Sequence, residues 1–175
     1  MDNVRIYTDG ACADNPRGNG GYGVVIVGAG QRRELSGGFR NTTNNRMEMY
    51  AVIAGLEALP APSHVTVYSD SQYLVNSIEK RWVHRWQANN WMRNKQDPAL
   101  NVDLWQRILA LCQQHTVKFE WIRGHAGHPE NERCDQLAVA ALKRKDLPVD
   151  KEVIGASAGD FRSLKDFGSL SRTRP

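Results

Sequence analysis

The 175 residues are 41% hydrophobic and 24% charged, with a formal net charge of +4; this is ordinary globular composition, enough for one domain with a full core, and the modest positive charge permits nucleic-acid binding without requiring it. Three cysteines, Cys12, Cys112 and Cys134, include no CxxC pair, which argues against a disulfide framework or a zinc site and for a reducing compartment. The start, MDNVRIYTDG, lacks the apolar core of a signal peptide and no run reaches membrane-span length, so a soluble, cytoplasmic protein is expected.

Val4–Cys12 (VRIYTDGAC) reads as the first strand, and within it Asp9 is followed at once by Gly10. A charge there is costly to bury unless something pairs with it. The glycine-rich stretch GACADNPRGNGGYG is flexible enough for another backbone to approach closely. Tyr22–Val27 is a β-branched second strand, and the turn GAGQ leads to a third near Arg33–Phe39, so an antiparallel meander is predicted. In FRNTTNNRMEMYAVIAGLEAL, Thr43 or Asn44 supplies an N-cap. Met49, Val52, Leu56 and Leu59 recur at helical spacing, and Pro60 and Pro62 end the helix. His64–Ser69 is a fourth strand ending at Asp70, and Ser71 opens a helix to about Lys80. A helix between the meander and the fourth strand implies a parallel crossover and a mixed sheet.

Arg81–Asn101 differs in composition, with Trp82, Trp86 and Trp91 among Arg81, Arg85, Arg93 and Lys95; it predicts a short helix and loop standing off the sheet. Val102–His115 is an amphipathic helix with Trp105, Ile108 and Cys112 on one face, and Thr116–Trp121 alternates as a fifth strand. Cys112 and Cys134 read as buried small hydrophobes. After the loop GHAGHP, Glu130 to about Lys145 forms the last helix, with Cys134, Leu137, Ala138 and Ala141 inward. The expected fold is α/β, a five-stranded mixed sheet with flanking helices over residues 1–146. Residues 147–175 carry prolines, glycines and serines with little periodicity. They read as a mostly disordered extension with room for a short docking turn, and removal from 148 onward is expected to leave fold and activity nearly intact.

Four carboxylates stand out by their addresses: Asp9 on the first strand, Glu48 early in the first long helix, Asp70 ending the fourth strand, and Asp135 early in the last helix. Sites in open α/β sheets form at the carboxyl ends of parallel strands. Acids crowded there repel and shift one another's pKa values. A cation resolves the conflict, and hard oxygen ligands select Mg²⁺ or Mn²⁺. Two such ions form the usual clamp for phosphodiester cleavage.

The motifs YTDGAC, DNPRGNGGYG, TTNNRMEMYAVIAGLEAL, SDSQYLVNSI, NVDLWQRI and GHAGHPENERCDQLA occur in that order over roughly residues 4–145. In them the chain resembles a type 1 ribonuclease H of the bacterial ribonuclease HI family. The resemblance implies an endonuclease that cleaves the RNA strand of RNA/DNA hybrids, leaving 5′-phosphate and 3′-hydroxyl ends, with a role in removing RNA primers and R-loops. It implies a monomer using two Mg²⁺ ions, with Mn²⁺ as the alternative. Asp9 would bridge both ions and the scissile phosphate, Glu48 and Asp70 would hold the ion near the leaving oxygen, and Asp135 the ion near the attacking water. His125 would assist proton transfer and product departure. Cys12, Asn15, Asn44 and Gln72 would lie near the RNA strand, where amides suit the 2′-hydroxyl because each offers donor and acceptor. Thr43 and Asn101 would form a pocket for a DNA phosphate, and Asn45, Asn76, Trp82 and Trp105 the DNA-side channel, although Trp105 also fits a core position.

The chain departs from the family pattern in two places. Asn41 stands where relatives often carry Arg, with Arg40 shifted by one and a candidate for the same phosphate. The protruding segment 81–101 has Gln87, Asn89, Asn90 and Asp97 where lysines are usual. Three other classes fit the residues less well, and one of them, a resolvase or integrase on the same fold, would not carry the blocks TTNNRME and GHAGHPENERCD. A non-catalytic binding module would not need all four acids, and a phosphate-cradling loop at Asp9–Gly23 lacks the Lys-Ser/Thr ending.

Overall fold

The computed structural model describes residues 1–151; the remainder of the predicted extension, 152–175, lies outside the described residues. Five strands, β1 (Asn3–Cys12), β2 (Gly20–Gly28), β3 (Gln31–Phe39), β4 (His64–Ser69) and β5 (Thr116–Trp121), form one sheet in the order β3-β2-β1-β4-β5. The meander β1–β2–β3 is antiparallel, and β1–β4 and β4–β5 are parallel, as the crossover argument requires. The helices are α1 (Asn44–Glu57), α2 (Gln72–Glu79), α3 (Trp82–Ala88), α4 (Val102–Gln114) and α5 (Pro129–Leu142).

Registers explain where a crevice opens. β1 pairs with β4 from Asn3↔His64 to Tyr7↔Tyr68 and no further, while it continues along β2 to Cys12↔Gly20. Past Tyr7 the two parallel strands part, and Asp9 and Asp70 stand on either side of the gap. Such a parting is where α/β sheets place their sites.

Each face of the sheet is closed by a helix that depends on glycine. On one face α1 buries Met49, Val52, Ile53 and Leu56 against Ile6 and Val24. A Cβ on Gly10 would lie 2.6 Å from the Glu48 amide nitrogen, so the residue after Asp9 sets how near α1 can come. On the other face a Cβ on Gly23 would strike the Cys134 carbonyl of α5. The caps are as read: Thr43 Oγ1 accepts from Arg46 N–H and Ser71 Oγ from Leu74 N–H, both at 3.2 Å, and Pro129 occupies the first turn of α5. Cys134 is buried as expected, but Cys112 is only half-buried.

The segment after α5 docks on the body through a short turn of the kind its sequence left room for. Helix α5 stops at Leu142, not near Lys145, and the chain turns back onto the body. Arg40 N–H donates to Pro148 O at 2.7 Å, Asp150 N–H to Arg40 O at 2.9 Å, and Arg40 Nε to Leu147 O at 2.8 Å. Leu147 and Asp150 are buried. The Asp150 carboxylate pairs with Arg46 Nε at 2.6 Å, and Asp103 pairs with Arg46 Nη2 at 2.7 Å. A guanidinium this deep, 1% exposed, is tolerable only because both carboxylates meet it. The docked segment therefore reaches at least Asp150, and a cut at 148 would remove the Asp150 carboxylate from Arg46. A chain ended after Pro148 should lose about 3–5 kcal/mol of unfolding free energy relative to one ended after Lys151, since it leaves Arg46 half-paired. Denaturant unfolding of both chains reads this, and coincident midpoints would refute it.

Candidate active site

Asp9, Glu48 and Asp70 come together at the gap between β1 and β4, each offering a carboxylate oxygen within 4.8 Å of the others. Asp9 and Glu48 are buried and Asp70 half-buried. Asp9 Oδ1 accepts the Gly10 N–H at 2.9 Å. Glu48 Oε2 is buried with no hydrogen-bond partner. Burial, with the Asp70 charge beside it, pushes the Asp9 carboxyl up to about 7. Burial also holds Glu48 well above the usual carboxylate range, helped by Asp9 and Asp70, and raises Asp70. Asp135, on α5, lies outside the 4.8 Å cluster but near enough for its charge to raise both Asp9 and Asp70.

The chemistry of this donor set fits a hard divalent cation. It supplies carboxylate oxygens, an orphaned buried oxygen at Glu48, and mutual repulsion that only positive charge relieves. His125 sits on the exposed loop after β5 with φ +54°, and its charge acts on Asp70. The neighbouring Gly124 has a reason the sequence did not reveal: a Cβ there would lie 2.5 Å from Asp70 Oδ2. Trp121 Nε1 donates to the Asp70 carbonyl at 3.0 Å, a contact sequence reading missed.

The other predicted site residues stand on β1, on the glycine-rich loop after it, and at α1 to α4. Asn15 Oδ1 accepts the Asn44 N–H at 3.1 Å, tying the glycine-rich loop to the start of α1. Cys12 is half-buried, with its thiol toward the Thr42 carbonyl, and burial raises its pKa. Asn44, Asn45 and Gln72 are exposed, and Asn76 and Trp82 half-buried. Thr43 caps α1. Asn101 is buried at φ +58°, between Arg46 Nη1 at 3.4 Å and Tyr73 Oη at 3.3 Å. Trp105 is a correction. It is 0% exposed, donates its indole N–H to Tyr73 Oη at 3.2 Å, and belongs to the core beneath the channel. Arg40 is exposed, and its Nε donates to the Leu147 carbonyl at 2.8 Å. Beyond Trp82, the protruding segment carries an open groove lined by Arg85, Trp86, Met92 and Arg93.

The RNase H family model matches residues 1–143. A ribonuclease H from Desulforamulus reducens is 63% identical over 150 residues, covering 86% of this chain and 94% of that protein. Among solved structures, LC9-RNase H1, a type 1 RNase H with the type 2 active-site motif, superposes with a TM-score of 0.71 at 35% identity, covering 81% of this chain and 72% of that one. LC11-RNase H1, solved in complex with an RNA/DNA hybrid, shares the fold with a TM-score of 0.58 at 24% identity, over 79% of this chain and 96% of that one.

The raised carboxyls carry a pH signature. The unfolded Asp9 titrates near 3.8 and the folded one near 7, so the folded state holds the proton more tightly. The stability from that proton is complete below about pH 4 and lost as pH rises toward 7. Under chelation, Asp9→Asn should therefore exceed the natural protein in stability by about 2–4 kcal/mol at pH 7, the gap closing toward pH 4. Paired thermal melts measure it; a gap that does not change with pH would show that Asp9 is not strained by its neighbours.

Proposed function

The chain belongs to the RNase H family, and we propose that it is an endonuclease hydrolysing the RNA strand of RNA/DNA hybrids, leaving 5′-phosphate and 3′-hydroxyl ends, with a role in removing RNA primers and R-loops. The observation that carries the reading is the convergence of Asp9, Glu48 and Asp70 at the parted strands, in a chain matched by the family over residues 1–143. The proposed cofactor is a pair of Mg²⁺ ions, with Mn²⁺ as the alternative, held by Asp9, Glu48, Asp70 and Asp135. Bound there, such ions supply Lewis acidity to the phosphate and lower the pKa of the attacking water.

The chain's own groups do the rest. The rigid sheet and α1 fix three carboxylates before substrate arrives, so little reorganisation is needed at the moment of reaction. His125, on its exposed loop beside Asp70, carries a proton on its imidazole as product leaves. Asn15, Asn44 and Gln72, with Cys12 beneath them, face the RNA strand, whose 2′-hydroxyl both donates and accepts. Thr43 and Asn101 hold a DNA phosphate, while Asn45, Asn76 and Trp82 line the DNA side. Phosphate contacts position the duplex, and the amides discriminate the strands. The three cysteines are free thiols, which suits a cytoplasmic enzyme, and no described helix is long and apolar enough to cross a membrane. We read the working unit as a monomer.

Asp9→Asn should abolish cleavage while leaving hybrid binding intact, because the carboxylate holds metal and the groove holds substrate. Gel assays on labelled hybrid, duplex DNA and duplex RNA, with and without Mg²⁺, test this together with the substrate class. Residual activity within about tenfold of the natural protein, or about 1.4 kcal/mol of barrier, would remove Asp9 from the centre.

Strand selectivity gives a second check. A DNA strand carrying a short run of ribonucleotides should be cut and a lone embedded ribonucleotide cut poorly, because several successive hydroxyls are read. Efficient cutting at a lone ribonucleotide would overturn this reading of the amide cluster.

A further inference from the structure

Outside the carboxylate cluster, one buried polar network touches both flanks of the proposed channel. Its centre is Arg46, whose Nη1 and Nη2 donate to Asp103 at 2.9 and 2.7 Å. Its Nε and Nη2 donate to Asp150 at 2.6 and 3.0 Å. Asp150 also accepts from Thr42 Oγ1 at 2.7 Å and Tyr50 Oη at 3.1 Å. A carboxylate so fully satisfied is more than a counter-ion, because it ties Thr42, before α1, to Arg46 and Tyr50 on α1.

Those pieces lead to the substrate groups. Thr42, held by Asp150, accepts the Arg17 N–H at 2.7 Å and donates its own N–H to Gly18 O at 3.1 Å, so it joins the glycine-rich loop to the corner before α1. The next residues are Thr43 and Asn44. Arg46, held by Asp150, donates its backbone N–H to Thr43 Oγ1 and its Nη1 to Asn101 Oδ1. One residue, Arg46, thus stands between Asp150 and both members of the proposed phosphate pocket, and Thr42 links Asp150 to the corner that carries Asn44.

We infer that Asp150 is a positioning residue for the hybrid: docked from the far end of the chain, it holds the Thr42–Asn44 corner and the Arg46–Asn101 contact in the arrangement that receives the duplex. This rests on the reading of Thr43, Asn44 and Asn101 as substrate contacts. It assigns the segment after α5 a part in binding, while the carboxylates that hold metal are untouched by it.

The sign of the charge change makes the test selective. Asp150→Asn makes the protein more positive, so electrostatics alone would tighten its grip on a polyanion. Loss of positioning loosens it. In the full chain, Asp150→Asn and Asp150→Ala should raise the Kd for a labelled hybrid, measured under chelation, by about tenfold, the worth of a lost hydrogen bond or two. KM should rise with kcat at saturating hybrid retained. Thr43→Ala should weaken binding comparably, and Asp150→Asn added to Thr43→Ala should cost little more, because both act through one contact. Ile26→Ala, a core change in β2, controls for lost stability and should keep the natural Kd below its melting range.

If Asp150→Asn binds as tightly as the natural protein or tighter while Thr43→Ala and Asn101→Ala bind weakly, the positioning role is refuted and the pocket stands. If Thr43→Ala and Asn101→Ala also bind normally, the pocket reading fails and takes this inference with it. Equal weakening by Ile26→Ala would reduce the effect to general destabilisation and refute the role as well.

Discussion

Mutual repulsion among Asp9, Glu48 and Asp70 is the constraint on which the rest depends. Three carboxylate oxygens within 4.8 Å, two of the side chains buried, would not persist in a pliable matrix. Each is therefore mounted on a different stiff element: the central strand, the helix packed on it, and the end of the parallel neighbour. Gly10 lets α1 descend far enough for Glu48 to reach Asp9. Gly124 does the same for the loop carrying His125 above Asp70. The close approaches that assemble the site are thus backbone approaches, possible where a side chain is missing.

The same dense packing decides which residues can meet a substrate. Trp105 and Tyr73 fill the space under the channel, their rings 5.7 Å apart, with Trp86 against Trp105 at 6.5 Å. Tyr73 accepts hydrogen bonds from both Trp105 and Asn101. A floor built this way is firm, and the amides proposed for recognition, Asn44, Asn45 and Gln72, stand exposed. The polar network around Arg46 extends that firmness to the corner preceding α1.

Much of this was legible in the chain because local signals agreed with the global fold. Period-two strands such as His64–Ser69 and Thr116–Trp121 match their observed limits, and the caps at Thr43 and Ser71 follow from residue type alone. Singly, each of the four acids reads as an ordinary cap or surface charge; together they stand out because the expected topology brings their strand and helix ends to one edge of the sheet. What could not be read were the long-range pairings. Arg46 looks like any arginine on a helix, and Asp150 like tail composition, until the fold brings them together across 104 positions. Trp105 fitted core and channel equally, because helical spacing says which face a residue occupies and not what lies opposite. Gly124 reads as one residue of the loop GHAGHP, whereas its neighbour in space is the Asp70 carboxylate.

The span of that ion pair bears on how the protein is made. Chains emerge N-terminus first, and long-range closures come late. The meander and α1 are synthesised while Arg46 has neither of its acids; Asp103 arrives midway and Asp150 near the end of the described chain. Until Asp150 follows, Arg46 is held by Asp103 alone, and Thr42 and Tyr50 lack the acceptor they share. The corner before α1 therefore reaches its docked arrangement only after residue 150 has been made, later than all five strands of the sheet.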